Sequence, residues 1–168
     1  AYLDLIQLLV EQRVEAIRSQ DFVIDSELTK YFEMLPEGSD LKEQYRCFIS
    51  DASIDKKQVE QELRQQVIAG SIEVNIMTKL DRDDYSGSDL PNNSMALSAL
   101  RGYANSTLQD SAIIFSAGIN PRLYNYLSEL VSSDPLPWAQ GNKRVVVKVS
   151  DYRSALIQGK YLAKKGVW

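Results

Sequence analysis

Histidine does not occur anywhere in the 168 residues. Its absence removes His-based catalytic triads, His-ligated zinc and imidazole general-base chemistry together, because each needs a ring that titrates near neutrality. Any catalysis has to use Lys, Asp, Glu, Tyr, Ser, Cys or a bound cofactor. Cysteine occurs once, as Cys47, so no disulfide can form within the chain, and its apolar helical surroundings (YRCFI) predict a buried thiol. An intracellular, cytoplasmic location is the default expectation. No apolar run approaches the roughly 18–20 residues that cross a bilayer, and the N-terminus lacks the basic start and cleavage signal of a secretory peptide. A membrane partner is not expected.

A block of positive charge is also missing. Nineteen Lys and Arg against 23 Asp and Glu give a net charge of −4 and a pI near 4.9. Binding to a phosphate backbone draws its affinity from clustered cations, so nucleic acid is not an expected partner. One local basic patch survives, formed by Lys143, Arg144, Lys148, Arg153, Lys160, Lys164 and Lys165, and its simplest reading is a solvated face. What is present is the balance of a folded globular chain, with 44% hydrophobic and 25% charged residues. The length suits one domain, or one domain with a helical extension.

The pattern divides near residue 70. Residues 1–70 form a helical region of about four helices, with no glycine before Gly38. Leu3, Ile6, Leu9, Val10, Arg13, Val14 and Ile17 recur at helical spacing over Tyr2–Ile17. A second helix covers Asp25–Leu35, ended by Pro36 and Gly38, and a third covers Asp40–Ser50. The fourth, Lys56–Ile68, is capped by Ser53 or Asp55 and stopped by Gly70.

From residue 71 to 168 the period changes to that of an α/β region. Short apolar runs near 73–79 (EVNIMTK), 111–117 (SAIIFSA) and 144–150 (RVVVKVS) read as strands, and helical stretches follow at 92–104, 122–131 and 152–164. Three consecutive βα units imply a parallel sheet, as a barrel segment or a small doubly wound sheet. Asp151 is the expected cap of the last helix. GVW at 166–168 reads as the entrance to a fourth strand, so the expectation is a piece of a longer chain, with a homo-oligomer as another way to cover the open sheet.

In parallel α/β folds ligands lie at the carboxyl ends of the strands. There the sequence offers Lys79 and Asp81, Asn120 and Arg122, and Lys148, Asp151 and Arg153 as contacts for a small anionic ligand. Lys148 interrupts an apolar strand. It is either a buried, anion-binding or Schiff-base lysine, or a solvent-facing residue of an edge strand. Asn120 with Pro121 and Arg122 after a glycine is either a phosphate-binding helix start or simply a helix cap. No metal site is expected, because the loop DRDDYSGSD (81–89) misses the alternating acids and terminal Glu of a calcium loop. Neither a P-loop nor a dinucleotide fingerprint is present.

The segments NIMTKLD, LSALRGYANS, SAGINPRLY and KVSDYRSALIQGK together resemble part of a group of longer, largely uncharacterised bacterial proteins associated with flavin-dependent barrels of the glutamate-synthase type. The resemblance covers residues 73–165. It implies a (β/α)8 barrel with the phosphate of FMN held by backbone amides at helix starts. Two functions therefore stand side by side. One is a region of a larger α/β enzyme with a flavin or phosphate ligand at its strand ends. The other is a non-enzymatic interaction module whose helical half docks a protein partner, recognisable by an exposed apolar patch on a helix such as Tyr2–Ile17.

Overall fold

The computed structural model describes residues 1–168 except 52–54, 78–80, 83–93, 117, 134–137, 139–140 and 168. The chain forms two compact units, one of Leu8–Ala69 and one of Gly70–Trp168 together with Ala1–Gln7.

The helical unit contains most of α1 (Tyr2–Arg18), with α2 (Glu27–Glu33), α3 (Asp40–Ser50) and α4 (Lys56–Gln65). Leu28 and Phe32, four apart on α2, meet Tyr45 and Phe48 of α3 and Leu63 of α4 in one core. Phe32 and Tyr45 stack with ring centroids 5.1 Å apart. Each such shielded side chain contributes roughly 1.5–3 kcal/mol relative to an exposed one. The observed α2 starts later than the expected Asp25–Leu35. Ser26 is its cap, its hydroxyl accepting from the Thr29 N–H, and Asp25 lies in the left-handed region (φ 66°) where a helix cannot run. α4 ends before the expected Ile68, while Val67 turns into the core. Cys47, expected to be buried, is exposed, because Tyr45 and Phe48 take the inward positions of α3.

In the second unit β1 (Ile72–Ile76), β2 (Ser111–Phe115) and β3 (Arg144–Val147) form a parallel sheet in the order β1-β2-β3. α5 (Met95–Ala104), α6 (Pro121–Ser133) and α7 (Tyr152–Lys164) follow the three strands in turn. Register pairs Val74 with Ile113 and Ile113 with Val145. That row, with Ile76, Phe115 and Val147, joins a core completed by Leu97 and Tyr103 of α5, Leu123 and Tyr124 of α6 and Leu162 of α7. The helices thus share one face of the sheet. The opposite face carries Glu73, Asn75, Arg144 and Val146, all exposed. Consecutive strand order with helices on a single face is the arrangement of a barrel arc and equally of one βαβαβ half of a doubly wound sheet.

The strands are shorter than the sequence suggests. β2 ends at Phe115, and β3 at Val147, three residues before Ser150, because the chain there turns into the next helix. One more ladder bond follows, from the Lys148 N–H to the Phe115 carbonyl at 2.9 Å. Lys143, read as part of a solvated patch, is 9% exposed. Its ammonium donates to the carbonyls of Tyr103, Ala104 and Ser106 at 3.2, 2.9 and 2.7 Å, closing the C-terminal end of α5. At the end of α7, Gly166 adopts φ 76°, and the N–H groups of Gly166 and Val167 bond the carbonyls of Ala163 and Leu162. Val167 is accordingly a buried helix stop.

Candidate functional site

Because the strands are parallel, α5, α6 and α7 all begin at the same edge of the sheet, and most of the expected ligand contacts lie at their first turns. At the first corner Asp81 accepts from the Ser94 hydroxyl at 2.7 Å and from the Ala96 N–H at 3.0 Å. Ser94 in turn accepts from the Leu97 N–H, so two side chains 13 residues apart close one helix start. Lys79 lies outside the described residues.

At the second corner Asn120 accepts from the Leu123 N–H at 3.0 Å, and Pro121 occupies the first helical position. Asn120 is therefore the cap of α6. Gly118 precedes it with φ 87° and open space where a side chain would stand. Arg122 is exposed on the first turn.

At the third corner the Asp151 carboxylate accepts from the Ser154 N–H at 2.8 Å and from the hydroxyls of Ser150 and Ser154, each at 2.9 Å. These bonds, the Ser154 N–H foremost, hold its carboxyl below its ordinary pKa. Arg153 and Lys148 are both exposed. Of the two arrangements open to Lys148, the solvent-facing residue of an outer strand is the one observed, since β3 pairs only with β2 among the described residues.

The three caps divide the corners electrostatically. α5 and α7 present carboxylates at their N-termini, and a carboxylate there both satisfies the free N–H groups and repels a second anion. α6 begins with a neutral amide. Beside it, on the open face of the sheet, the Ser116 hydroxyl donates to the Asn75 side-chain oxygen at 2.7 Å. Continuing the register past Phe115 and Val147 sets Lys148 opposite Ser116. The residues suited to an anion are thus Ser116, Asn75 and Lys148 with the Gly118–Arg122 turn. Asp81 and Asp151 serve the helices instead.

Alternation in the strand pattern already set Asn75 on one face of β1. Ser116 carries no such signal, because its value comes from a neighbour 41 residues away. No protein-family model matches the chain, and no curated protein or solved structure matches it either.

Proposed function

We propose that the α/β unit is an arc of a (β/α)8-type barrel that binds a phosphate-bearing ligand at the carboxyl end of its open sheet face. The observation that carries this reading is the consecutive β1-β2-β3 order with every following helix on one face. The opposite face then corresponds to the inside of a barrel, where ligands of such folds sit. Lys148 supplies the positive charge, Ser116 and Asn75 supply polar groups, and Gly118 lets backbone approach the ligand closely. FMN is the phosphate ligand implied by the sequence resemblance. An anionic phosphate fits the α6 corner, whose cap is neutral, and does not fit the α5 and α7 corners with their carboxylates.

Titrating the chain with FMN and following flavin fluorescence tests the reading, with inorganic phosphate as competitor. Saturable quenching relieved by phosphate and weakened at least tenfold in Lys148→Met supports it. Absence of quenching, or equal quenching by Lys148→Met, rejects it.

A second reading, a protein-docking module, draws on α1. Tyr2, Leu5, Leu8 and Leu9 are 74%, 50%, 49% and 49% exposed, an apolar run larger than a solvated helix needs. Replacing Leu5 and Leu9 by Gln would abolish co-purification of a partner under this reading and leave FMN binding unchanged.

A further inference from the structure

α3 and α4 enclose a groove of about 680 Å³. Leu63, Val59 and Cys47 give it an apolar lining, and Asp40, Glu43 and Glu62 stand on its rim. Glu43 pairs with Arg46 at the surface, 2.8 Å away, and the three acids are exposed. The groove belongs to a unit with a strong charge bias, since Leu8–Ala69 holds thirteen acidic and eight basic residues. The opposite bias lies elsewhere in the chain. Lys143–Lys165 holds seven basic residues and one acid.

Within that basic stretch α7 has an outward side of unusual composition. Leu156 and Ile157 are 40% and 48% exposed, and Arg153, Lys160 and Lys164 are exposed on the same side. Positions 153, 156, 157, 160 and 164 recur at three- and four-residue intervals, so they form one stripe on the helix. The stripe has an apolar centre and cationic ends. The groove has an apolar floor and an anionic rim.

We infer that the α3–α4 groove of one copy receives the outward stripe of α7 from a second copy. Leu156 and Ile157 lie over Val59 and Cys47, while Arg153, Lys160 and Lys164 face Asp40, Glu43 and Glu62. Complementary potentials of this kind set register and partner choice, and a helix laid in an apolar groove is a recurring docking mode. The two surfaces differ, so the contact is head-to-tail. After the first contact one copy keeps its helix free and the other its groove, so assemblies grow beyond the dimer as concentration rises.

Sedimentation of the purified chain across a wide concentration range tests this, together with the alkylation rate of Cys47 in the groove wall. The expected result is a mass that climbs from 19.0 kDa in a salt-sensitive manner while Cys47 becomes protected. Glu43→Lys with Glu62→Lys disables the groove, and Leu156→Asp disables the helix. Each reversed exposed charge weakens association by up to about fivefold, and the buried aspartate by on the order of tenfold or more. Each variant alone stays monomeric, with helix content by circular dichroism confirming that it folds. Mixed, the two variants form one contact, giving a heterodimer and nothing larger.

Three outcomes overturn the inference: a wild-type chain that remains monomeric, variants that associate like the wild type, or a mixture that stays monomeric. A monomeric chain that instead binds a synthetic cationic amphipathic helix would assign the groove to a foreign partner.

Discussion

Arg18 and Arg64 each close the other's helix. Arg18, the last residue of α1, donates from Nε and Nη2 to the carbonyl of Val67, just beyond α4, at 3.0 and 2.7 Å. Arg64, on the last turn of α4, donates from Nη1 to the carbonyls of Arg18 and Gln20 at the end of α1. Its guanidinium also lies over the Phe22 ring, 5.2 Å from the centroid. Carbonyls at a helix C-terminus have no partner within the helix and carry the negative end of its dipole, so a guanidinium meets both needs.

Arg64→Met should therefore destabilise the helical unit by about 2 kcal/mol, the scale of hydrogen bonds to a charged group. The urea midpoint is the readout. Arg64→Lys should recover little, because one ammonium cannot span the carbonyls of Arg18 and Gln20 and also reach the Glu60 carboxylate that Arg64 now bonds. An unchanged midpoint in Arg64→Met would show that water closes α1 equally well.

Lys143 and Lys148 stand five residues apart and should behave oppositely. Lys143→Met strips three carbonyls at the C-terminal end of α5 of their cation and should cost about 2 kcal/mol. Lys148→Met removes an exposed side chain and should change stability by less than about 0.5 kcal/mol. Thermal unfolding of the two variants checks the contrast, and equal losses would mean that Lys148 has a structural partner.

That contrast marks how far the sequence could be read. Periodicity identified each helix and strand, because apolar spacing follows from which face meets the core. Asn120 and Asp151 were readable as caps because their acceptors lie three residues from the donors. Lys143 was hidden, since its partners lie 37 to 40 residues back along the chain and nothing in GNKRVVV distinguishes a buried lysine from a solvated one. Asp81 was legible as a polar strand-end residue, yet its role in closing α5 depends on a bond spanning 13 residues. Cys47 misled because its apolar neighbours, Tyr45 and Phe48, are the residues that point inward. Local rules capture elements and their ends, while long-range pairing decides which polar groups remain available to a ligand.

At low pH the Asp151 cap should fail in a defined direction. Its folded-state pKa is lowered, so the stability it contributes is present above the unfolded value near 3.9 and is lost as pH falls through the folded value. Asparagine keeps an acceptor for the Ser154 N–H without a titrating proton. Asp151→Asn should accordingly flatten the acid limb of the stability–pH curve, measured by urea denaturation at a series of pH values. An identical acid limb in the variant would remove Asp151 from the acid response.

At high pH the tyrosines take over. Burial pushes the Tyr103 and Tyr124 phenols above their ordinary value, and burial together with the Glu33 charge does the same for Tyr45. A raised folded-state pKa means that the folded chain holds these protons longer than the unfolded chain, whose phenols titrate near 10. The stabilising contribution is complete below that pH and disappears as pH rises through the folded values. The tyrosinate absorbance of Tyr45, Tyr103 and Tyr124, assigned through their phenylalanine variants, should develop together with the loss of helix signal in circular dichroism. Tyr124→Phe forgoes the hydroxyl that donates to the Gln158 side-chain oxygen at 2.5 Å, and should shift alkaline unfolding to higher pH while lowering stability at neutrality. If these three phenols titrated before any loss of structure, their rings would have to be accessible to hydroxide in the folded chain, and the core around Tyr124 would be looser than its complete burial implies.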